Sequence, residues 1–163
     1  MELSREVVST LLKMQRNEIT EYHVYTRIAQ RTKNQENKKV LLTIAAEEKA
    51  HADVWKKYTK TEHKPSMLRV RWYSFVARVF GITFALKKME SGEDAANKAY
   101  EKLIFEVPEA KRIAEEEDRH EQELLAMLDE ERLRYVGSMV LGLNDALVEL
   151  TGTLAGLTFA LGS

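Results

Sequence analysis

Two segments of the chain carry the same string, Ile-Ala-x-Glu-Glu-x-x-His, at residues 44–51 and 113–120. In each string a glutamate precedes the histidine by three residues: Glu48 and His51 in the first, Glu117 and His120 in the second. On a helix this spacing places a carboxylate and an imidazole on one face, one turn apart, as metal-binding helical bundles do. A single copy would indicate little, because charged helices usually expose such side chains to solvent. The repetition favours a metal site.

A symmetric site for two metal ions needs further carboxylates from two other helices. Glu18 is followed after seven residues by Tyr25, and Glu93 is followed after seven residues by Tyr100. The chain therefore holds two copies of a helical hairpin, each of which offers two carboxylates and one imidazole. Neighbouring glutamates leave alternatives open at Glu21, Glu47 and Glu90. The tyrosine and histidine spacings select as predicted metal ligands Glu18, Glu48, His51, Glu93, Glu117 and His120.

These side-chain types predict a pair of iron ions as the cofactor, with manganese or zinc as substitutes. Four carboxylates bring four negative charges, which two Fe²⁺ ions neutralise, and imidazole nitrogen suits all three metals. Six side chains do not saturate two ions, so positions stay open for O₂ or peroxide. Tyr25 and Tyr100 are interpreted as core residues or as hydroxyls that orient a carboxylate of the facing helix. Without metal the carboxylates repel each other and take up protons, so we expect a less stable bundle.

Composition favours one helical domain, with 31% charged and 44% hydrophobic residues and only two prolines in 163 residues. The formal net charge of −1 does not indicate a nucleic-acid partner. The absence of cysteine excludes disulfides, thiolate catalysis and a rubredoxin-type iron centre on this chain. The N-terminus is charged and lacks the apolar run of a signal peptide, so we expect a cytoplasmic location, either free or on the cytoplasmic face of a membrane.

Helical spacing predicts four helices, over about residues 5–31, 37–59, 82–105 and 108–134. Ser4 is a candidate cap for the first, and Pro108 suits the first turn of the fourth. Residues 60–80 are aromatic on one side and rich in arginine on the other. We interpret this segment as a crossover helix packed on the bundle or on a dimer partner. The alternative is a surface that touches anionic lipid.

Residues 136–161 contain no lysine or arginine and exceed the roughly 20 residues that cross a bilayer. Asp145 and Glu149 lie four residues apart on one face, and acidic groups in a membrane span usually line an ion path or a protein interior. The alternative is a fifth helix packed on a soluble bundle or dimer. A membrane origin is favoured, because the segment is apolar on nearly all faces. The predicted division is a helical bundle over residues 1–134 and an additional apolar helix over residues 135–163.

The candidate ligands also carry a family resemblance, over about residues 8–130. The matching motifs are Asn17-Glu18, Tyr25, Ala29, Glu48-Lys49-Ala50-His51-Ala52, Gly92-Glu93, Tyr100 and Glu117-Asp118-Arg119-His120-Glu121. They resemble the four helix motifs of the rubrerythrin branch of the ferritin-like superfamily. The resemblance implies a ferritin-like four-helix bundle, a di-iron site, homodimers, and peroxide reduction or oxidation of Fe²⁺ by O₂. The chain departs from rubrerythrins proper at Ala96, where they carry a second glutamate, and it has no rubredoxin-like domain.

The apolar tail resembles a different family. Residues 140–152 are similar to the first membrane helix of the vacuolar iron transporter family. The whole chain is similar to the N-terminal part of membrane-bound ferritins, in which a ferritin-like domain precedes such a transporter. This resemblance implies that Asp145 belongs to an iron path. Because that membrane domain has several more helices, we expect this chain to be a truncated piece of a longer protein.

Three functions follow from these patterns. The first is the di-iron domain of an iron-handling membrane protein that binds Fe²⁺, oxidises it or senses it, and is attached through the C-terminal helix. The second is a free-standing rubrerythrin-like peroxidase or ferroxidase that serves in oxidative-stress defence with a separate electron donor. The third, a structural bundle without metal, is disfavoured by the doubled ligand pattern.

Overall fold

The computed structural model describes residues 3–90, 103–104 and 106–161. Over these residues the chain is all-helical, which confirms the predicted fold class, and the ferritin-like arrangement stays a prediction. The helices are α1 (Arg5–Ala29), α2 (Gln35–Thr59), α3 (Met67–Val79), α4 (Ile82–Glu90) and α5 (Glu109–Leu161). The chain divides into two compact units, residues 1–124 and 125–163.

Helices α1 and α2 form a hairpin whose ends are fixed by local capping. The Ser4 hydroxyl accepts a hydrogen bond from the N–H of Val7 at 3.2 Å, which confirms the predicted cap. In the connection, the Asn34 side chain accepts one from the N–H of Glu36 at 2.9 Å. Lys60 then ends α2 in the left-handed conformation, with φ at 51°. The short connection makes α1 and α2 antiparallel neighbours.

The core of the first unit lies where the start of α5 covers this hairpin. Trp55 and Leu11 are fully buried there, and each such side chain contributes roughly 1.5–3 kcal/mol by leaving water. Gln15 ties the two helices together, because it accepts a hydrogen bond from the Thr59 hydroxyl at 2.7 Å and donates one to the Thr61 carbonyl at 2.8 Å. The cluster comprises Val7, Leu11, Met14, Val54, Trp55, Leu103, Val107, Ala110 and Ile113.

Helix α3 lies beside α1, and α4 packs on α3. The Thr20 hydroxyl accepts a hydrogen bond from the N–H of Ser66 at 2.9 Å, and Arg31 donates one to the Ser74 carbonyl at 3.0 Å. The segment interpreted as a crossover is therefore a helix that packs along the C-terminal half of α1. The third predicted helix begins at Ile82 as α4, and its continuation beyond residue 90 lies largely outside the described residues.

Helix α5 corrects one prediction about the chain's organisation. The sequence predicted a fourth helix that ends near Arg134 and a separate apolar helix after it, but one helix of 53 residues covers both segments. The chain has no proline after Pro108 to stop it. Gly137 alone costs only about 1 kcal/mol relative to alanine, which does not end a long helix. A change from charged to apolar composition is therefore not a helix boundary.

The second unit, residues 125–163, contains the apolar part of α5. Residues 133–161 are exposed throughout. Among the described residues, α5 is the one helix that is long and apolar enough to cross a bilayer, as judged by length and composition alone. Membrane attachment stays a prediction.

Candidate metal centre

Four acidic and imidazole side chains from three helices meet inside the first unit. They are Glu18 of α1, Glu48 and His51 of α2, and Glu117 of α5, and their candidate ligand atoms lie within 4.8 Å of one another. Glu18, Glu48 and His51 are buried, and Glu117 is half-buried. Since buried carboxylates without compensation are costly, this cluster is one that a metal ion could hold together. The structure thus brings together four of the six predicted ligands.

The His51 imidazole lies between the two glutamates of the other string. Its Nε2 is 2.8 Å from a carboxylate oxygen of Glu116, and its Nδ1 is 2.9 Å from one of Glu117. Nδ1 also lies 3.8 Å from Glu48 Oε2 and 4.0 Å from Glu18 Oε2. Nδ1 therefore faces the cluster, while Nε2 faces away from it.

A fifth predicted ligand, His120, lies in the same way between the two glutamates of the first string. Its Nε2 is 2.6 Å from a carboxylate oxygen of Glu47. Its Nδ1 is 3.3 Å from Glu48 Oε1 and 3.6 Å from Glu117 Oε2. This buried Nδ1 has no hydrogen-bond partner among the described residues. The two imidazole rings stack with centroids 5.8 Å apart, so both strings face one centre from opposite sides.

Glu47 and Glu116, the first glutamates of the Glu-Glu pairs, were not selected as ligands. In the structure these outer glutamates bind the histidines from the side away from the centre. Each accepts from the Nε2–H of the opposite histidine and is also bound by an arginine. Arg119 donates to Glu47 at 2.7 Å, and Arg112 donates to Glu116 at 2.6 Å. A proton held on Nε2 leaves the Nδ1 lone pair for the centre, which is how carboxylates orient metal-binding histidines. In the sequence, the pair of adjacent glutamates in each string was the signal that could have predicted these contacts with the opposite histidine.

Trp55 is a further residue that the spacing did not identify. Its indole N–H donates to Glu18 Oε1 at 3.2 Å in the buried core. It lies one turn after His51 on α2, so it belongs to the same helix face. Tyr25 is buried in α1, as a core position requires. Glu93 and Tyr100 lie outside the described residues, so their predicted roles stay predictions.

Burial and mutual repulsion raise the pKa of the carboxyl groups on α1. For Glu18 the largest cause is burial, followed by the charges of Glu117 and Glu48, and its pKa lies well above the usual range. For Glu21, one turn later, burial and then Glu18 and Glu117 raise the pKa to about 8. In the metal-free protein Glu21 is therefore protonated near neutral pH, and Glu18 keeps its proton to a higher pH than an ordinary glutamate does.

The imidazoles act in the opposite direction on the carboxyl groups of α5. Burial works to raise the pKa of Glu117, but the imidazoles of His120 and His51 beside it outweigh burial, and the pKa is lowered. Burial likewise works to lower the pKa of both histidines, but the surrounding carboxylates outweigh it and raise the pKa. The imidazoles and the carboxylates around them thus favour each other's charged forms, a role that a divalent ion could take.

Comparisons with protein-family models, with curated proteins and with solved structures find no match to this chain. The resemblances noted for the sequence therefore stay expectations.

Proposed function

We propose that the first unit is a di-iron carboxylate domain that binds Fe²⁺ and oxidises it in iron homeostasis. The observation that supports this most is the crossed arrangement of the two strings. Each histidine lies against both glutamates of the other string, and four candidate ligand atoms lie within 4.8 Å of one another. A structural ion pair would not require this duplication.

The donor set fits iron. Carboxylate oxygens with one imidazole nitrogen per ion suit Fe²⁺, and Mn²⁺ and Zn²⁺ are the substitutes that the same chemistry admits. The buried Nδ1 of His120 has no hydrogen-bond partner among the described residues, as expected of an atom that is meant for a ligand. Glu93 lies outside the described residues, and the sequence pattern alone makes it the sixth ligand of this proposal. The pattern also supports a homodimer and a ferritin-like bundle as parts of this proposal.

The chemistry requires an electron acceptor, for which O₂ and H₂O₂ are the candidates. O₂ accepts one electron from each of two Fe²⁺ ions together with two protons, and it leaves as H₂O₂. H₂O₂ accepts two electrons in the same way with two protons, and it leaves as two water molecules. The protein supplies the carboxylates that hold the ions together, while Glu47 and Glu116 hold the imidazoles in place.

The apolar part of α5 supports placing this domain on the cytoplasmic face of a membrane, attached to an iron transporter. The second candidate function is a free-standing rubrerythrin-like peroxidase or ferroxidase. The buried, redox-suited ligand set supports both, and the apolar helix favours the first. Partition of the natural full-length protein between membrane and soluble fractions separates the two, as does peroxide turnover with a supplied reductant.

The test begins with metal content per chain, followed by anaerobic loading with Fe²⁺. Absorption is then recorded after O₂ and, separately, after H₂O₂ is added. We expect about two ions per chain and faster oxidation than for Fe²⁺ in buffer, as a preformed di-iron bundle requires. Glu117→Ala is the test variant, and Glu115→Ala is its matched control, because Glu115 is an exposed glutamate of the same string. Full uptake by Glu117→Ala, equal loss of uptake in both variants, or no uptake by the parent protein contradicts the proposal.

A further inference from the structure

Helix α3 has apolar side chains on two opposite faces. One face carries Val70, Ser74 and Ala77, which are buried where α3 packs in the first unit beside α1. The other carries side chains at intervals of four, three and four residues, which a helix places in one line. This apolar stripe consists of Leu68, Trp72, Phe75 and Val79, whose exposed fractions are 82%, 57%, 54% and 55%. Exposed aromatic groups in such a line mark an interaction surface.

Basic residues border the apolar stripe. Arg71 and Arg78 lie on one side of it and Arg69 on the other, by their positions on the helix. Residues 63–89 contain six lysines and arginines and no aspartate or glutamate: Lys64, Arg69, Arg71, Arg78, Lys87 and Lys88. The expected partner is therefore apolar at its centre and negative around it.

A basic cavity adjoins the same helix. It has a volume of about 140 Å³ and is lined by Arg27 and Arg31 of α1 and by Arg78 of α3, with no carboxylate among its lining residues. Arg31 is fixed there because it donates to the Ser74 carbonyl at 3.0 Å. Three arginines that line one cavity suit a phosphate group, for which the guanidinium group has the matching geometry.

We propose that α3 and α4 form a docking surface for an anionic lipid bilayer. The apolar stripe enters the boundary between headgroups and acyl chains, the arginines beside it bind headgroup phosphates, and the cavity of Arg27, Arg31 and Arg78 takes one of them. An amphipathic helix that lies in the membrane plane has this combination of aromatic residues and basic borders.

A second copy of the chain is the competing occupant, and the charges disfavour it. A twofold interface centred on the apolar stripe would set this surface against itself. Arg71 and Arg78 would then face their own copies without an acidic partner in residues 63–89. An anionic bilayer offers negative charge to the same groups.

The test uses the full chain in lipid nanodiscs, because the apolar part of α5 is then present in every sample. The nanodiscs contain acyl-brominated phosphatidylcholine alone or with about 30% phosphatidylglycerol, and the readout is quenching of Trp72 fluorescence. A Trp72→Phe variant gives the background of Trp55, the other tryptophan. We expect about twofold stronger quenching of Trp72 in the anionic discs, and weaker quenching at about 1 M salt.

Two double variants make the test specific. Arg71→Gln with Arg78→Gln is expected to remove the difference between the lipids. Lys13→Gln with Lys57→Gln changes the charge equally at exposed positions outside α3 and α4 and is expected to keep the difference. Equal quenching in both lipids overturns the proposal. So does shielding of Trp72 in lipid-free detergent that increases with protein concentration, which would identify a second copy as the occupant.

Discussion

The two sides of the candidate metal centre are built from the same residue types and yet hold protons differently. On the α1 side, Glu18 lies in the core beside Trp55, and burial raises its pKa. On the α5 side, Glu117 lies between two imidazoles, and these lower its pKa although burial opposes this. Both are glutamates, so the difference between their pKa values comes from the side chains around each one.

This asymmetry indicates how the metal-free centre remains folded. Protons on the α1 side and charged imidazoles between the two sides offset the repulsion of clustered carboxylates. A divalent ion that binds at the centre would have to displace some of these protons. The predictions below test whether the two sides act as one site.

The largest expected effect is loss of metal in Glu48→Ala and in Glu117→Ala. Each variant removes a carboxylate from one side of the centre, so we expect fewer than two ions per chain and at least about 100-fold weaker binding, above the usual loss for an outer partner. Metal analysis after equilibrium dialysis measures both quantities. Full occupancy in both variants would remove the site assignment, and loss in only one would confine the metal to that side.

Removal of metal is expected to lower the melting temperature of the protein. A ligand that binds only the folded state stabilises it by about 2.7 kcal/mol at 100 times its dissociation constant, or roughly 10 °C for a unit of this size. Melting is followed by circular dichroism before chelation, after chelation and after metal is restored. An unchanged melting curve after verified removal of metal contradicts the site, whereas Glu115→Ala should respond as the parent protein does.

Much of this centre could be predicted from the sequence because its ligands follow helical spacing. Glu48 and Glu117 were selected by their distance to a histidine, and the structure brings both to one place with Glu18 and His51. The hydrogen bond from Trp55 to Glu18 was missed, because it joins two helices and no local spacing records it. The crossing of each string to the opposite histidine was missed for the same reason. The continuous helix α5 was missed because a composition change was interpreted as a boundary.

The outer glutamates test whether the two strings are equivalent in function. Glu47→Gln and Glu116→Gln keep the size of the side chain but weaken the hold on the opposite Nε2–H. We expect each to weaken metal binding by about 10–100-fold without loss of the second ion at saturation. Competition with a chromogenic chelator measures this. Equal effects would confirm that the strings act symmetrically, whereas no change in either would show that these contacts are only surface ion pairs.

The smallest expected effect is the pH dependence of the metal-free protein, which distinguishes the two sides directly. Four glutamate and histidine groups at or beside the centre have a raised pKa in the folded state: Glu18, Glu21, His51 and His120. A raised pKa means that the folded state binds the proton more tightly, so the stability from these groups is present below their unfolded values and is lost as the pH rises through the folded ones. The α5 glutamates with a lowered pKa act in the opposite direction, but their contribution follows the unfolded value of 4.5 and is nearly complete by about pH 6. We therefore expect the free energy of unfolding to fall between about pH 6 and pH 8. Urea unfolding across this range measures this fall, and Glu21→Gln should flatten the slope because it removes the group with a pKa of about 8.

Metal should reverse the trend, since its ligands must lose their protons and its stabilisation grows with pH. A metal-free protein that becomes more stable towards pH 8 would show that the α1 side holds no protons, and the asymmetry between the two sides would be lost.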